Sequence, residues 1–282
     1  MTSSPVAPPP VREGFDPIVP IQVGTSLPFF CVHGAGGNVL NFRDIATRLG
    51  ANQTFYGIQA AGVDGGPTLD TIEEMAAFYL PGLLATQPQG PYVIGGYSVG
   101  GVVAFELVQQ LKAAGKDVAL LVLLDSFAGH VVPQTTSAKT HLDHLREWGP
   151  SYLGNRLKAR IQRETETLSV ALKTRFYRSQ NQPIPFELRD RYVSTALAEA
   201  ALRYKPTPYD GRVVLYRAAE VDPQFQHTSE TLGWDDLTPN LEIVRVPGNH
   251  DSLVYEPNVL VMISHLRASL RAISSSAGFA SG

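Results

Sequence analysis

Residues 92–111 read Tyr92-Val93-Ile94-Gly95-Gly96-Tyr97-Ser98-Val99-Gly100-Gly101-Val102-Val103-Ala104-Phe105-Glu106-Leu107-Val108-Gln109-Gln110-Leu111. Two periodicities meet in this stretch. Tyr92 to Ile94 opens a short apolar run of the kind that forms a buried strand. Beyond Ser98, Val102, Val103, Phe105, Leu107, Val108 and Leu111 recur every three to four residues, the spacing of a helix with one buried face that stops at Gly115. Between strand and helix lies Gly96-Tyr97-Ser98-Val99-Gly100, a G-x-S-x-G pattern. Its logic is steric. Small residues two before and two after the serine let strand and helix approach, and the sharp turn exposes the serine hydroxyl at a helix N-terminus.

Working outward, short apolar runs alternate with helical patterns: strands near 28–32, 55–59 and 92–96, helices near 39–48, 70–86 and 99–113. Val118 to Leu124 is apolar throughout, as a parallel strand covered on both faces must be. Such alternation predicts a doubly wound, mostly parallel sheet flanked by helices. From about 130 to 205 it breaks, and the sequence reads as helices interrupted at Gly149-Pro150, Pro183 and Pro185. The sheet then resumes with Arg212 to Tyr216 and Leu241 to Val246, and a last helix runs from about Pro257 to Ala272. The expected organisation is a Pro-rich linker over 1–17, an α/β core over 18–129 and 206–282, and a helical insertion over 130–205. The linker composition fits equally a module from a longer polypeptide and an ordinary frayed N-terminus.

At 282 residues, 44% hydrophobic and 17% charged, the chain can bury one sizeable core. A net charge of -3 gives no basic field, so nucleic acid is not an expected partner. The single cysteine, Cys31, lies inside the apolar run Pro28 to Val32 and reads as a small buried hydrophobe, which excludes a disulfide framework. No Cys/His spacing resembles a metal site. The start has neither the basic nor the apolar region of a secretory signal, and no apolar run reaches the roughly 18 residues of a spanning helix. A cytoplasmic, membrane-free setting is expected.

A serine hydroxyl is a weak nucleophile at neutral pH and needs a base, which needs a third group to orient it. Of seven histidines, His250 follows the strand Leu241 to Val246 through Pro247-Gly248-Asn249, at a carboxyl strand end facing the turn. His33 lies in a loop after an early strand; His130, His141 and His144 fall in or near the insertion, His227 in a polar loop and His265 inside the last helix. Two aspartates could serve as acid: Asp125, ending the strand Val118 to Leu124, and Asp222, following Arg212 to Tyr216. A carboxylate ending an apolar strand is costly without a partner, which favours Asp125. Asp251 reads as a local cap. The developing negative charge of an acyl-transfer reaction needs backbone donors, for which the Val99 and Ala35 amides are the candidates. The loop His33-Gly34-Ala35-Gly36-Gly37 that carries Ala35 lacks the Lys-Ser/Thr of a nucleotide-binding loop.

Taken together, Phe30 to Gly37, Tyr56 to Ala60, Gly90-Pro91-Tyr92, Gly96 to Gly101, Leu123 to Ser126, Arg203 to Pro206 and Pro247 to His250 resemble the type I thioesterase domains of polyketide synthases and nonribosomal peptide synthetases, members of the α/β-hydrolase superfamily. The resemblance runs from about residue 18 to 272. It implies Ser98 as acyl-accepting nucleophile, His250 as base and Asp125 as acid. No cofactor is implied beyond the phosphopantetheine arm of an acyl or peptidyl carrier protein, upstream in the same polypeptide, that delivers an acyl thioester. Release would follow by hydrolysis or macrocyclisation. The chain departs from the family at Gly34, where proline is common. The insertion corresponds to a helical lid; His141 to Arg178 holds eight Lys/Arg against four Asp/Glu, so Arg156, Lys158 and Arg160 mark a face for an acidic carrier or an ordinary solvated helix face. A free-standing editing thioesterase, a carboxylesterase and a catalytically inactive hydrolase-fold binding protein are the competing functions.

Overall fold

The computed structural model describes residues 14–129, 158, 165, 168–222, 225 and 228–278. The expected linker apart from residues 14–17, much of the insertion including Arg156 and Arg160, and His130, His141, His144 and His227 lie outside the described residues.

Among the described residues seven strands form one sheet: β1 (Ile18–Gln22), β2 (Phe29–Val32), β3 (Phe55–Ile58), β4 (Tyr92–Tyr97), β5 (Val118–Leu124), β6 (Val213–Ala218) and β7 (Leu241–Val246). Their order is β1-β3-β2-β4-β5-β6-β7, with β1 antiparallel to β3 and every other pair parallel. Helices α1 (Arg43–Leu49), α2 (Ile72–Thr86), α3 (Gly100–Ala113), α4 (Phe186–Arg203) and α5 (Val259–Ser276) connect or follow them. Residues 168–179 are also helical, and the described residues between β5 and β6 contain no strand.

Period-two alternation explains how one apolar sequence serves two cores. In β5, Leu121 and Leu123 enter the cluster made with α2 and α3, while Leu120, Val122 and Leu124 enter the cluster made with α1 and α5. In β2, Phe30 and Val32 face the first layer, Phe29 and Cys31 the second. Cys31 is a packed core atom group whose thiol burial pushes well above its ordinary pKa. Each fully buried large side chain contributes about 1.5–3 kcal/mol. The α2 helix starts at a reciprocal cap: the Glu74 amide donates to Thr71 Oγ1 at 3.1 Å and the Thr71 amide to the Glu74 carboxylate at 3.2 Å.

Four elements differ from the sequence expectation; the first helix, expected near 39–48, begins at Arg43 after a 3-10 turn over Leu40–Phe42. Strand β1 was not foreseen, because Pro20 interrupts its apolar run; at a sheet edge the missing N–H costs nothing, and the β1–β3 register shifts beside it. Strand β6 runs two residues past Tyr216, since Arg217 is a buried strand residue rather than a polar stop. Helix α5 begins at Val259 and continues to Ser276, four residues beyond the expected end.

The strand-to-helix turn is the tightest place in the sheet. A Cβ on Gly96 would collide with the Gly100 carbonyl, and one on Gly100 would collide with the His33 carbonyl at the end of β2. Gly100→Ala should therefore lower the unfolding free energy by about 1–3 kcal/mol in urea titration, the cost of overpacking rigid backbone; an unchanged midpoint would contradict the contact.

Beside this turn His33 is 1% exposed, its Nδ1–H donating to the Gly34 carbonyl at 2.6 Å and its Nε2 accepting from the Tyr79 hydroxyl at 3.1 Å. Burial lowers its pKa to about 4, against the raising effect of the Gly34 bond. The unfolded chain thus binds a proton that the native chain refuses, so this residue's contribution is intact above about pH 6.5 and is lost as pH falls toward 4, by roughly 3 kcal/mol in all. His33→Gln should remove that slope: the difference in unfolding free energy between wild type and variant should change by this amount across the interval, and a constant difference would refute it.

Candidate active site

Ser98 sits between β4 and α3 with φ of 56°, a left-handed conformation that a non-glycine residue adopts only when the surroundings enforce it. They do so here from both sides. The Ser98 amide donates to the Leu124 carbonyl of β5 at 2.9 Å, and its carbonyl accepts from Gly101 at 3.0 Å in the first turn of α3. The Gly96 and Gly100 contacts leave no room to relax.

The carboxyl ends of β5 and β7 bring two more groups to the same point. Asp125, φ 43°, follows β5 and is 6% exposed. Its amide donates to the Tyr216 carbonyl at 2.8 Å, and its Oδ1 accepts from the Ala218 amide at 2.9 Å. Its Oδ2 lies 2.8 Å from His250 Nδ1, and His250 Nε2 lies 2.9 Å from Ser98 Oγ. A carboxylate on Nδ1 assigns the proton to that nitrogen, leaving Nε2 to accept from the serine hydroxyl. This continuous chain can pass the serine proton to the imidazole as the oxygen attacks a carbonyl, with the carboxylate holding tautomer and orientation.

Asp222, the other acid considered, is an exposed residue beyond β6, and His250 bonds Asp125 instead. The cap expected of Asp251 is made by its neighbour: Asn249 Oδ1 accepts from the Asp251 and Ser252 amides at 3.1 and 3.0 Å, and Ser252 Oγ accepts from the Asn249 amide at 2.9 Å. Asp251 itself is exposed. His265 belongs elsewhere, bonded to Tyr216 at 2.9 Å and Glu242 at 3.0 Å.

Val99 is the N-cap of α3, and Ala35 is exposed on the loop after β2. Among the described residues, neither amide donates to another group. Ala35 lines a cavity of about 470 Å³ together with Ser98, His250, Tyr97, Asp190 and Tyr255.

Two residues that line the site and one buried cation whose charge interacts with Asp125 escaped the sequence reading. Tyr97, the variable position before the serine, stacks on the His250 ring with centroids 5.2 Å apart and planes 20° apart. Asp190 of α4 places a carboxylate against Gly36, where a Cβ would collide with it. Arg217, 4% exposed, donates to the Ser229 carbonyl and lies 4.0 Å from Glu230. Desolvation lowers its pKa, partly offset by Glu230. Only Tyr97 carried a signal, its adjacency to Ser98; the other two are defined by what the fold packs beside them. Among the described residues no group of three His, Cys, Asp or Glu is placed to hold a metal, and no helix is long and apolar enough to cross a membrane.

The thioesterase domain family profile matches residues 27–269. An inactive atromentin synthetase of Paxillus involutus is 29% identical over 268 residues, covering 86% of this chain and 27% of the relative. A dimodular nonribosomal peptide synthase of Bacillus subtilis (strain 168) is 28% identical over 271 residues, covering 91% of this chain and 11% of that protein. The chain thus spans about a quarter or less of these curated relatives. Among solved structures, a holo four-domain nonribosomal peptide synthetase bound to AMP and glycine superposes with TM-score 0.66 at 26% identity, over 90% of this chain and 20% of that one. The NocB thioesterase domain from the nocardicin cluster gives TM-score 0.61 at 23% identity, over 88% and 95%. With its mostly parallel seven-stranded sheet and flanking helices, the chain has the α/β-hydrolase fold and belongs to the thioesterase domain family.

Proposed function

We propose that this chain is a chain-releasing thioesterase domain that takes an acyl group from the phosphopantetheine thioester of a carrier protein. The observation that carries the reading is the hydrogen-bonded series Ser98, His250, Asp125 opening into a cavity that α4 borders. In this reading Ser98 Oγ attacks the thioester carbonyl while His250 Nε2 takes its proton. The oxyanion is met by the Val99 and Ala35 amides, which have no internal partners among the described residues. Collapse of the tetrahedral intermediate breaks the C–S bond, and His250 returns the proton to the departing pantetheine sulfur. Water or a hydroxyl or amine of the acyl chain itself, deprotonated by His250, then attacks the acyl-serine ester and releases an acid, a lactone or a lactam.

The carrier protein, upstream in the same polypeptide, is part of the proposal, and the multidomain synthetases among the relatives support it. Within the stretch over 130–205, the described helical residues 168–179 and α4 serve as part of a lid; Asp190 in the cavity lining supports this for α4. Three similar synthetases are named inactive, which sets an inert hydrolase-fold domain as the alternative; the intact hydrogen-bonded series favours the active reading.

Mass spectrometry of wild type and Ser98→Ala incubated with a panel of acyl pantetheine thioesters tests this directly. The wild type should gain an acyl adduct on Ser98 and form free product, and Ser98→Ala should do neither. Product formation by Ser98→Ala at the wild-type rate, or no adduct and no product with any thioester, would end the proposal. The acid is tested separately. Asp125→Asn should lower kcat on the order of 10⁴-fold by offering the imidazole the wrong tautomer, whereas Asp222→Asn should stay within about two-fold of wild type; the reverse pattern would reassign the acid.

A further inference from the structure

We infer that Tyr97 is a positioning residue that clamps His250 from ring and backbone at once, and that Gly34 is glycine because the Tyr97 ring fills the space a side chain would need. The inference rests on the reading of Ser98, His250 and Asp125 as the reacting series.

His250 stands on a loop after an edge strand, and its side chain is 37% exposed. Its bond to Asp125 fixes one ring nitrogen but leaves the imidazole free to swing about that contact, carrying Nε2 away from Ser98. Two contacts from Tyr97 remove that freedom. The phenol ring lies across the imidazole face, 5.2 Å between centroids and 20° from parallel, which blocks the swing. The phenol hydroxyl donates to the His250 carbonyl at 2.8 Å, which holds the backbone from which the ring projects. Tyr97 is itself anchored, being the last residue of β4, paired with Leu124 and packed against the α1/α5 core layer. Burial, helped by Asp251 and Asp125, raises the phenol pKa, so the hydroxyl keeps the proton that it donates.

Gly34 completes the arrangement. A Cβ there would lie 2.8 Å from Tyr97 Cδ1 and 3.2 Å from Cε1, closer than carbon atoms approach without displacement. The same ring stacks on His250, so a displaced ring would disturb the imidazole. The loop that offers the Ala35 amide and the ring that holds the base are therefore fitted to one another.

The test is steady-state kinetics on the intact chain with an acyl pantetheine thioester, together with the rate of fluorophosphonate labelling at Ser98. Tyr97→Leu should lower kcat by about 30-fold with KM within about two-fold, because a misplaced base slows the chemical step and not binding. Tyr97→Phe, which keeps the stack and loses only the hydroxyl bond, should remain within about five-fold. Gly34→Ala should cost on the order of ten-fold in kcat in the wild-type background and less than about two-fold once Tyr97 is Leu, the non-additivity expected of groups in contact. Tyr97→Met replaces the Leu variant in both roles if the latter does not fold. Equal losses in Phe and Leu variants would overturn the ring's role; additive Gly34 and Tyr97 effects would overturn the fit between them. Wild type that resists labelling would refute the underlying series itself, while wild type and Tyr97→Leu labelled at one rate would refute this inference alone.

Discussion

Everything at the reacting centre depends on the approach of the α3 N-terminus to the end of β2. At Gly100 the two backbones are so close that a single methyl group would overlap the His33 carbonyl. That approach accompanies the left-handed conformation of Ser98, which is held by backbone hydrogen bonds to Leu124 and Gly101. A nucleophile carried this way has little freedom to reorient, so the remaining groups need only be brought to a fixed point.

The parallel sheet brings them. Chains that cross parallel strands in one direction end them at the same edge, and β4, β5 and β7 deliver Ser98, Asp125 and His250 there from positions 125 and 152 residues distant along the chain. Asp125 repeats the device used for the serine, a positive φ at a strand end, so that its carboxylate turns back across β6 and accepts from Ala218. The carboxylate is oriented by a backbone group of the sheet, whose geometry is set by strand pairing, and the ring by the Asp125, Ser98 and Tyr97 side chains that neighbouring strands carry. Precision at the site is therefore inherited from the register of the sheet.

Much of this was legible in the sequence because it rests on local rules. The glycines flanking Ser98, the apolar run of β5 and the short Pro247-Gly248-Asn249 link before His250 each announce their structure through spacing. The choice of Asp125 over Asp222 followed from the cost of an unpartnered carboxylate at an apolar strand end, but its partners, Tyr216 and Ala218, come from a strand nearly a hundred residues later. Strand β1 was hidden by Pro20, whose tolerance depends on being at an edge, a property of the whole sheet. The cap assigned to Asp251 belongs to Asn249, since either side chain could satisfy the turn and only its final geometry decides. Tyr97, Asp190 and Arg217 occupy positions whose neighbours are set by tertiary packing, and no periodicity marks them.

Among the described residues, strand β7 pairs on one side, with β6, and exposes Glu242, Ile243 and Arg245. The charges on that border discourage other chains from adding to it, but a strand bonded along one side is also the first to fray. Because His250 follows β7, a brief opening of this border separates the imidazole from Ser98 while the central strands stay intact. Such local openings need far less free energy than global unfolding. Warming the protein should thus silence Ser98 while most amide protons in β4 and β5 are still protected from exchange, so that catalytic competence and the persistence of the native core part company along a single strand.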